Sequence, residues 1–194
     1  MGTLLSVTAL TALVFGTPLR FVVMFSPLVI LLVASFAMKN PSPTGAGLVY
    51  WSIVTLMGIG LGSIFLMYTG VSIAKTFLVT AASFGFLSLW GYTTKKDLSG
   101  MGSFLVMGLF GLILASLVNL FLKSGPLDLA ISAIGVLIFA GLIAFDTQRL
   151  KHTYYEIGGD ARGQAVATNF GALSLYLDFI NLFMFLLRFL GNRN

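Results

Sequence analysis

Cysteine is missing from this chain altogether, which excludes disulfides, thiolate nucleophiles and cysteine metal sites. Histidine occurs once, at His152, so two histidines cannot ligate a haem within one chain, and a zinc centre lacks its usual donors. Charge is also scarce. Asp, Glu, Lys and Arg make up 9% of the residues, against roughly 25% in soluble domains. Only six of the 194 residues are acidic, so each acid in an apolar stretch calls for an explanation. Polar segments long enough for a separate soluble domain are absent too, which leaves one transmembrane domain over residues 1–194.

What fills the chain instead is apolar: 58% hydrophobic residues and a mean hydropathy of +1.01. The solvent of this protein is therefore the lipid bilayer. Its +5 formal charge lies mainly in Lys and Arg between apolar runs, so no nucleic-acid partner is expected. About 20 apolar residues are needed to cross the hydrocarbon core. Six runs meet that length: Pro18–Met38, Leu48–Tyr68, Ala74–Thr94, Gly102–Leu122, Leu127–Thr147 and Thr168–Leu190. Their length without alternation favours helices over the strands of a barrel. The fold class is all-α, a polytopic bundle of six transmembrane helices. Residues 1–17 contain a shorter apolar stretch, Thr3–Phe15, read as a possible remnant of a further N-terminal helix. "GIGLGS", from Gly58, has the GxxxG spacing of close helix packing.

The breaks between runs carry turn and charge signals, and the longest is the polar stretch beginning at Gln148. Lys95, Lys96, Arg149 and Lys151 fall on one side of the bundle, and the positive-inside rule makes that side cytoplasmic. Four acids, Asp97, Asp128, Glu156 and Asp160, lie in or beside loops, where water suffices to explain them. Asp146 and Asp178 do not. A carboxylate at the centre of a helix in lipid costs about 2.5–3.5 kcal/mol, so such acids turn towards a bundle interior or water. In the last run Gly171, Ser174, Asp178, Asn181 and Arg188 recur at helical spacing as one small and polar stripe. Asp128, Ser132, Gly135 and Asp146 do the same in the run before it. Small residues permit close approach, so the two acid-bearing faces can meet in the interior. The plainer alternatives are an interfacial Asp146 paired with Arg149 or Lys151, and a structural hydrogen bond for Asp178. Asn119 is a further buried polar candidate.

Here the residues carry a resemblance. "FDTQRLKH" from Phe145, "ALSLYLDFINLFMFLLRFLGNR" from Ala172 and "KKDLSGMGSFLVMGLFG" from Lys95 resemble the Bax inhibitor-1 (transmembrane Bax inhibitor motif) family, in its bacterial inner-membrane branch. The resemblance implies seven helices around a central one, with the first missing or reduced in this chain. It implies a pH-sensitive calcium leak or suppression of cell death, and for bacterial relatives association with a membrane protease. It also implies that Asp146 and Asp178 form a hydrogen-bonded, pH-sensing pair closed by a basic latch. Lys39 is the nearest match to that latch, standing where relatives carry Arg, and a lysine lacks the bidentate fork of a guanidinium.

The chemistry of such a pair follows from electrostatics alone. Two unit charges about 4 Å apart at an effective dielectric near 20 repel by about 4 kcal/mol, so the pair shares a proton and titrates as a unit. Ionised, it invites a hard cation. Calcium suits oxygen ligands but takes six to eight, so Asn181, Asn119, Ser174, carbonyls or water have to help, and binding is weak. The expected function is a pH-sensitive calcium leak without a catalytic role, and without a cofactor apart from calcium as the ion carried or weakly held. The alternatives are a modulator acting by binding a membrane protease or another membrane protein, an intramembrane aspartyl protease and a proton-coupled transporter. For the protease the acids stand in the wrong local sequence, "AFDT" and "YLDF", and the one Gly-Gly-Asp, Gly158–Asp160, is in a loop.

Overall fold

The computed structural model describes residue 30 and residues 41–192, the side chain of Leu66 excepted. The expected first span, Pro18–Met38, the Thr3–Phe15 stretch and Lys39 lie outside the described residues, apart from Ile30, which is helical. Those described form helices and no strand: α1 Pro43–Leu61, α2 Ile64–Met67, α3 Gly70–Thr93, α4 Ser99–Leu122, α5 Gly125–Ile157 and α6 Ala161–Leu190. All except α2 are long and apolar enough to cross a membrane, giving five spans here against the six expected from the whole sequence.

Local chemistry fixes where the helices start. Ser42, Thr69 and Ser124 cap α1, α3 and α5 by accepting from the backbone N–H groups of Gly45, Ser72 and Leu127, and Asp160 accepts from Arg162 at the start of α6. At α4 the N-cap Leu98 has no side chain to offer, and Asp97 Oδ1 accepts from the Ser99 N–H instead, at 2.9 Å. The Ser99 hydroxyl and N–H together hold the exposed Asp97 carboxyl below its ordinary range.

Two boundaries depart from the sequence reading. The span expected over Leu48–Tyr68 breaks after Leu61: Gly62 caps α1, and Ser63 Oγ bonds back to the Gly60 carbonyl at 2.9 Å. Among the described residues nothing lies within 4 Å of where a Cβ on Gly58 would stand, and Gly62 of the same GxxxG pair ends α1. The polar stretch after Thr147 is largely helix, since α5 runs on to Ile157 and α6 resumes at Ala161. At 1.5 Å per residue the 33 residues of α5 reach about 50 Å, against a hydrocarbon core of about 30 Å. Its last turns therefore stand clear of the lipid tails, where polar side chains cost nothing.

Helices α5 and α6 form the centre. Of their most apolar stretches 44% and 33% are buried, against 11–17% in α1, α3 and α4, whose outer faces show Phe, Leu and Val to lipid. Ile143 of α5 and Leu182 and Leu187 of α6 are fully enclosed. Aromatic rings fasten α3 to α6, with Phe84 and Phe179 edge to face at 5.5 Å. Contact between α3 and α5 is closer still. A Cβ on Gly91 would stand 2.8 Å from the Ala144 Cα and nearer yet to its carbonyl oxygen, so only glycine fits. That crossing holds the α5 backbone two residues before Asp146.

Candidate functional site

Both intramembrane acids face inwards: Asp146 is 7% exposed and Asp178 is 6% exposed. They lie on the two central helices, α5 and α6. Asp146 is firmly held. Its Oδ1 accepts from Arg149 Nη2 at 3.1 Å, one turn along the same helix, and its Oδ2 accepts a hydrogen bond from the Ser174 hydroxyl of α6. Arg149 Nη2 also reaches Ser174 Oγ at 3.4 Å, closing a three-membered cluster, and its guanidinium lies over the Phe145 ring at 5.5 Å. The Arg149 side chain is 55% exposed, so the cluster connects the interior to water at the end of the bundle bearing Lys95 and Lys96.

Asp178 sits one helical turn beyond Ser174 and is placed differently. Asp146 and Arg149 both lie within electrostatic reach of it, Asp146 also within hydrogen-bonding reach. Yet its Oδ2 is buried without a hydrogen-bond partner among the described residues. An unsatisfied buried carboxylate oxygen is costly, so a proton, a water or a cation is needed there.

A cavity of about 960 Å³ begins at this group. Ser174, Asp178, Asn181 and Arg188 of α6 all line it, so the polar stripe read from the helical repeat is one wall of a real space. Asp128 of α5 and Ser116 and Asn119 of α4 add further oxygens. Asp146 is not among the lining residues. The cavity runs towards the C-terminus of α6 and the N-terminus of α5, where Arg188 Nη1 meets Asp128 Oδ1 at 3.7 Å. That end is opposite the one bearing Arg149. Asp146 is thus connected to one face of the bundle through its ion pair, and Asp178 to the other through the cavity.

The supporting polar residues divide. Ser174 bonds directly to Asp146. Asn181 lines the cavity while donating to the Leu177 carbonyl at 2.8 Å, which leaves its own oxygen available. Asn119 is half-buried rather than buried, and its Oδ1 accepts from the Ser124 N–H at 3.0 Å, closing the turn between α4 and α5. Part of its acceptor capacity is therefore spent on a turn. Sequence reasoning passed over Gln148, which is 6% exposed. Its Oε1 accepts from the Leu98 N–H at 2.9 Å and its Nε2 donates to the Lys96 carbonyl at 2.8 Å, clamping the α3–α4 loop to α5. The signal was available, since Gln148 follows Asp146 by two residues in the quoted "FDTQ". It was assigned to a loop because the end of α5 was placed too early.

Comparison with known proteins agrees with this architecture. The family model described as "Inhibitor of apoptosis-promoting Bax1" matches residues 1–194. A Caulobacter vibrioides protein of undescribed activity is 66% identical over 175 residues, covering 90% of this chain and 70% of its own length. A Rickettsia prowazekii protein is 48% identical over 191 residues, 98% of this chain and 80% of the relative. The Escherichia coli inner membrane protein YbhL is 48% identical over 169 residues, 86% of this chain and 71% of YbhL. With five apolar helices able to span and relatives named as inner membrane or membrane proteins, the chain is an integral protein of the bacterial inner membrane. A match over every residue, carried through the helices that hold Asp146 and Asp178, makes this chain a member of the Bax inhibitor-1 family.

Proposed function

We propose that this protein is a pH-sensitive, channel-like calcium leak gated by a proton held between Asp146 and Asp178. The observation that carries the reading is the unpartnered Oδ2 of Asp178 at the floor of a 960 Å³ cavity, with a second carboxylate in reach behind it.

Asp146 is anchored by Arg149 and Ser174 and stays in place. Asp178 has, among the described residues, no cation or hydroxyl bonded to it, only Asp146 within hydrogen-bonding reach, and responds. Protonated, it donates within the pair, and α5 and α6 are drawn together. Ionised, it places a second negative charge in a site where Arg149 is the guanidinium that acts on it among the described residues. Two charges about 4 Å apart repel by about 4 kcal/mol at an effective dielectric near 20. The helices then separate, or a cation enters from the cavity. Asp178, Ser174, Asn181 and Asn119 supply hard oxygens along that route, together with water. Two carboxylates fall short of the six to eight oxygens that calcium takes, so binding is weak, as conduction requires. Lys39, expected as a latch, is outside the described residues, and Arg149 performs the holding of Asp146 in this reading. We propose no catalytic role. An aspartyl protease needs both acids directed at one water, whereas both oxygens of Asp146 are engaged by Arg149 and Ser174.

The test is calcium flux into proteoliposomes across pH, for the intact chain and for Asp178→Asn, which preserves shape and removes the titration. The variant is expected to lose pH dependence while remaining folded by circular dichroism. An unchanged pH profile takes the pair out of the mechanism. Flux from the purified chain alone also separates a leak from an effect exerted through a membrane-protease partner, which would leave pure liposomes tight.

A further inference from the structure

A second cavity, of about 290 Å³, lies at the opposite end of the bundle from Asp128 and Arg188. It is walled by Tyr92 of α3, by Lys151, Tyr154 and Tyr155 of α5, and by Ala167 and Thr168 of α6. None of these residues belongs to the aspartate site. We propose that this cavity is a binding site for the headgroup of an anionic phospholipid, with Lys151 as the cation that meets the phosphate.

Depth in the membrane is the first argument. Helix α3 ends at Thr93, and Lys95 and Lys96 follow immediately, which marks the water boundary of that span. Lys151 Nζ donates to the Tyr92 carbonyl at 2.8 Å, so its ammonium is held at that boundary, at the level of lipid phosphates.

The second is preorganisation. A lysine on a surface sweeps a wide volume, but this one is fixed by the Tyr92 carbonyl and by the Tyr92 ring, 4.7 Å from Nζ. An ammonium has three donors, and the carbonyl takes one. The remaining N–H groups stand beside a cavity lined also by Thr168 and by two further tyrosines, Tyr154 and Tyr155, packed edge to face at 5.9 Å. Tyrosines with an apolar ring and a polar hydroxyl suit the boundary between acyl chain and headgroup. Thr147, whose hydroxyl is spent on the Ile143 carbonyl, also lines it, and Leu150 and Ala167 add apolar wall, matching the glycerol end of a lipid rather than a free ion.

Charge is the third. Lys95, Lys96, Arg149, Lys151 and Arg162 gather at this end against Asp97, Glu156 and Asp160. Arg149 is taken by Asp146, and Lys151 is the cation that lines the cavity. An anionic leaflet supplies the complementary sign.

The test uses the full chain in nanodiscs of phosphatidylcholine with and without phosphatidylglycerol, reading thermal melting and the phosphatidylglycerol retained through purification. Phosphatidylglycerol is expected to raise the melting temperature of the intact chain and of Lys151→Arg. Lys151→Gln should lose that increment and bind the lipid roughly fivefold more weakly, equivalent to about 1 kcal/mol for one basic side chain at the surface. Ala167→Leu, which fills the cavity without touching charge, should lose it too. Should Lys151→Gln melt lower in both lipids by the same amount, Lys151 merely caps α3 and the proposal fails. It fails equally if neutralising Lys95 and Lys96 removes the increment while Lys151→Gln keeps it, or if free glycerol 3-phosphate reproduces it.

Discussion

Replacing Gly91 by Ala tests the crossing that positions Asp146. An added Cβ would stand 2.8 Å from the Ala144 Cα and 2.9 Å from its carbonyl carbon, both backbone atoms that no rotamer change can move aside. Carbon atoms pack at about 3.5–4.0 Å, so α3 and α5 have to part by roughly 1 Å. Overpacking of this kind costs about 1–3 kcal/mol, and helices displaced along a whole interface lose other contacts as well. For a chain of about this size each kcal/mol is worth roughly 2–4 °C of melting temperature, so a fall on the order of 5 °C is expected in detergent. Gly85 provides the control on the same helix. No described residue lies within 4 Å of its Cβ position, and alanine is the better helix former by about 1 kcal/mol, so Gly85→Ala should melt at or above the intact chain. Because Ala144 precedes Asp146 by two residues, Gly91→Ala should also disturb the pH profile of calcium flux, which Gly85→Ala leaves alone. Equal melting of Gly91→Ala and the intact chain would refute the reasoning, since it would mean that the two backbones are not in contact.

The absence of cysteine makes the sidedness of the cavity directly measurable. Asn181→Cys should react with a membrane-impermeant maleimide from the face bearing Arg188, and Thr168→Cys from the face bearing Lys95; reaction of both from one face would contradict the cavity's direction. Gln148→Leu strands the Leu98 N–H and the Lys96 carbonyl. It should cost about 1–3 kcal/mol and speed hydrogen exchange at residues 94–98, with unchanged exchange counting against the clamp.

Much of the site was legible from pattern. A carboxylate at mid-span is so costly in lipid that Asp178 had to face inwards, and intervals of three and four residues placed Ser174, Asn181 and Arg188 on the same side. The end of α5 was not legible. Gln148 to Ile157 are polar enough to be read as a loop, and hydropathy reports where lipid ends, not where a helix does. Placing that boundary early hid Gln148 and made Arg149 and Lys151 loop residues, although Arg149 is one turn from Asp146 on a continuous helix.

The sequence alone determined the solvent, the helical class and the inward direction of Asp178, because each follows from the free energy of one residue or one segment in hydrocarbon. Only the tertiary structure decided that Asp146 accepts from Ser174 of α6 while Asp178, among the described residues, keeps an unpartnered oxygen beside a cavity. That difference depends on how α4, α5 and α6 stand against one another. Such relations join residues far apart in the chain, and no local pattern encodes them.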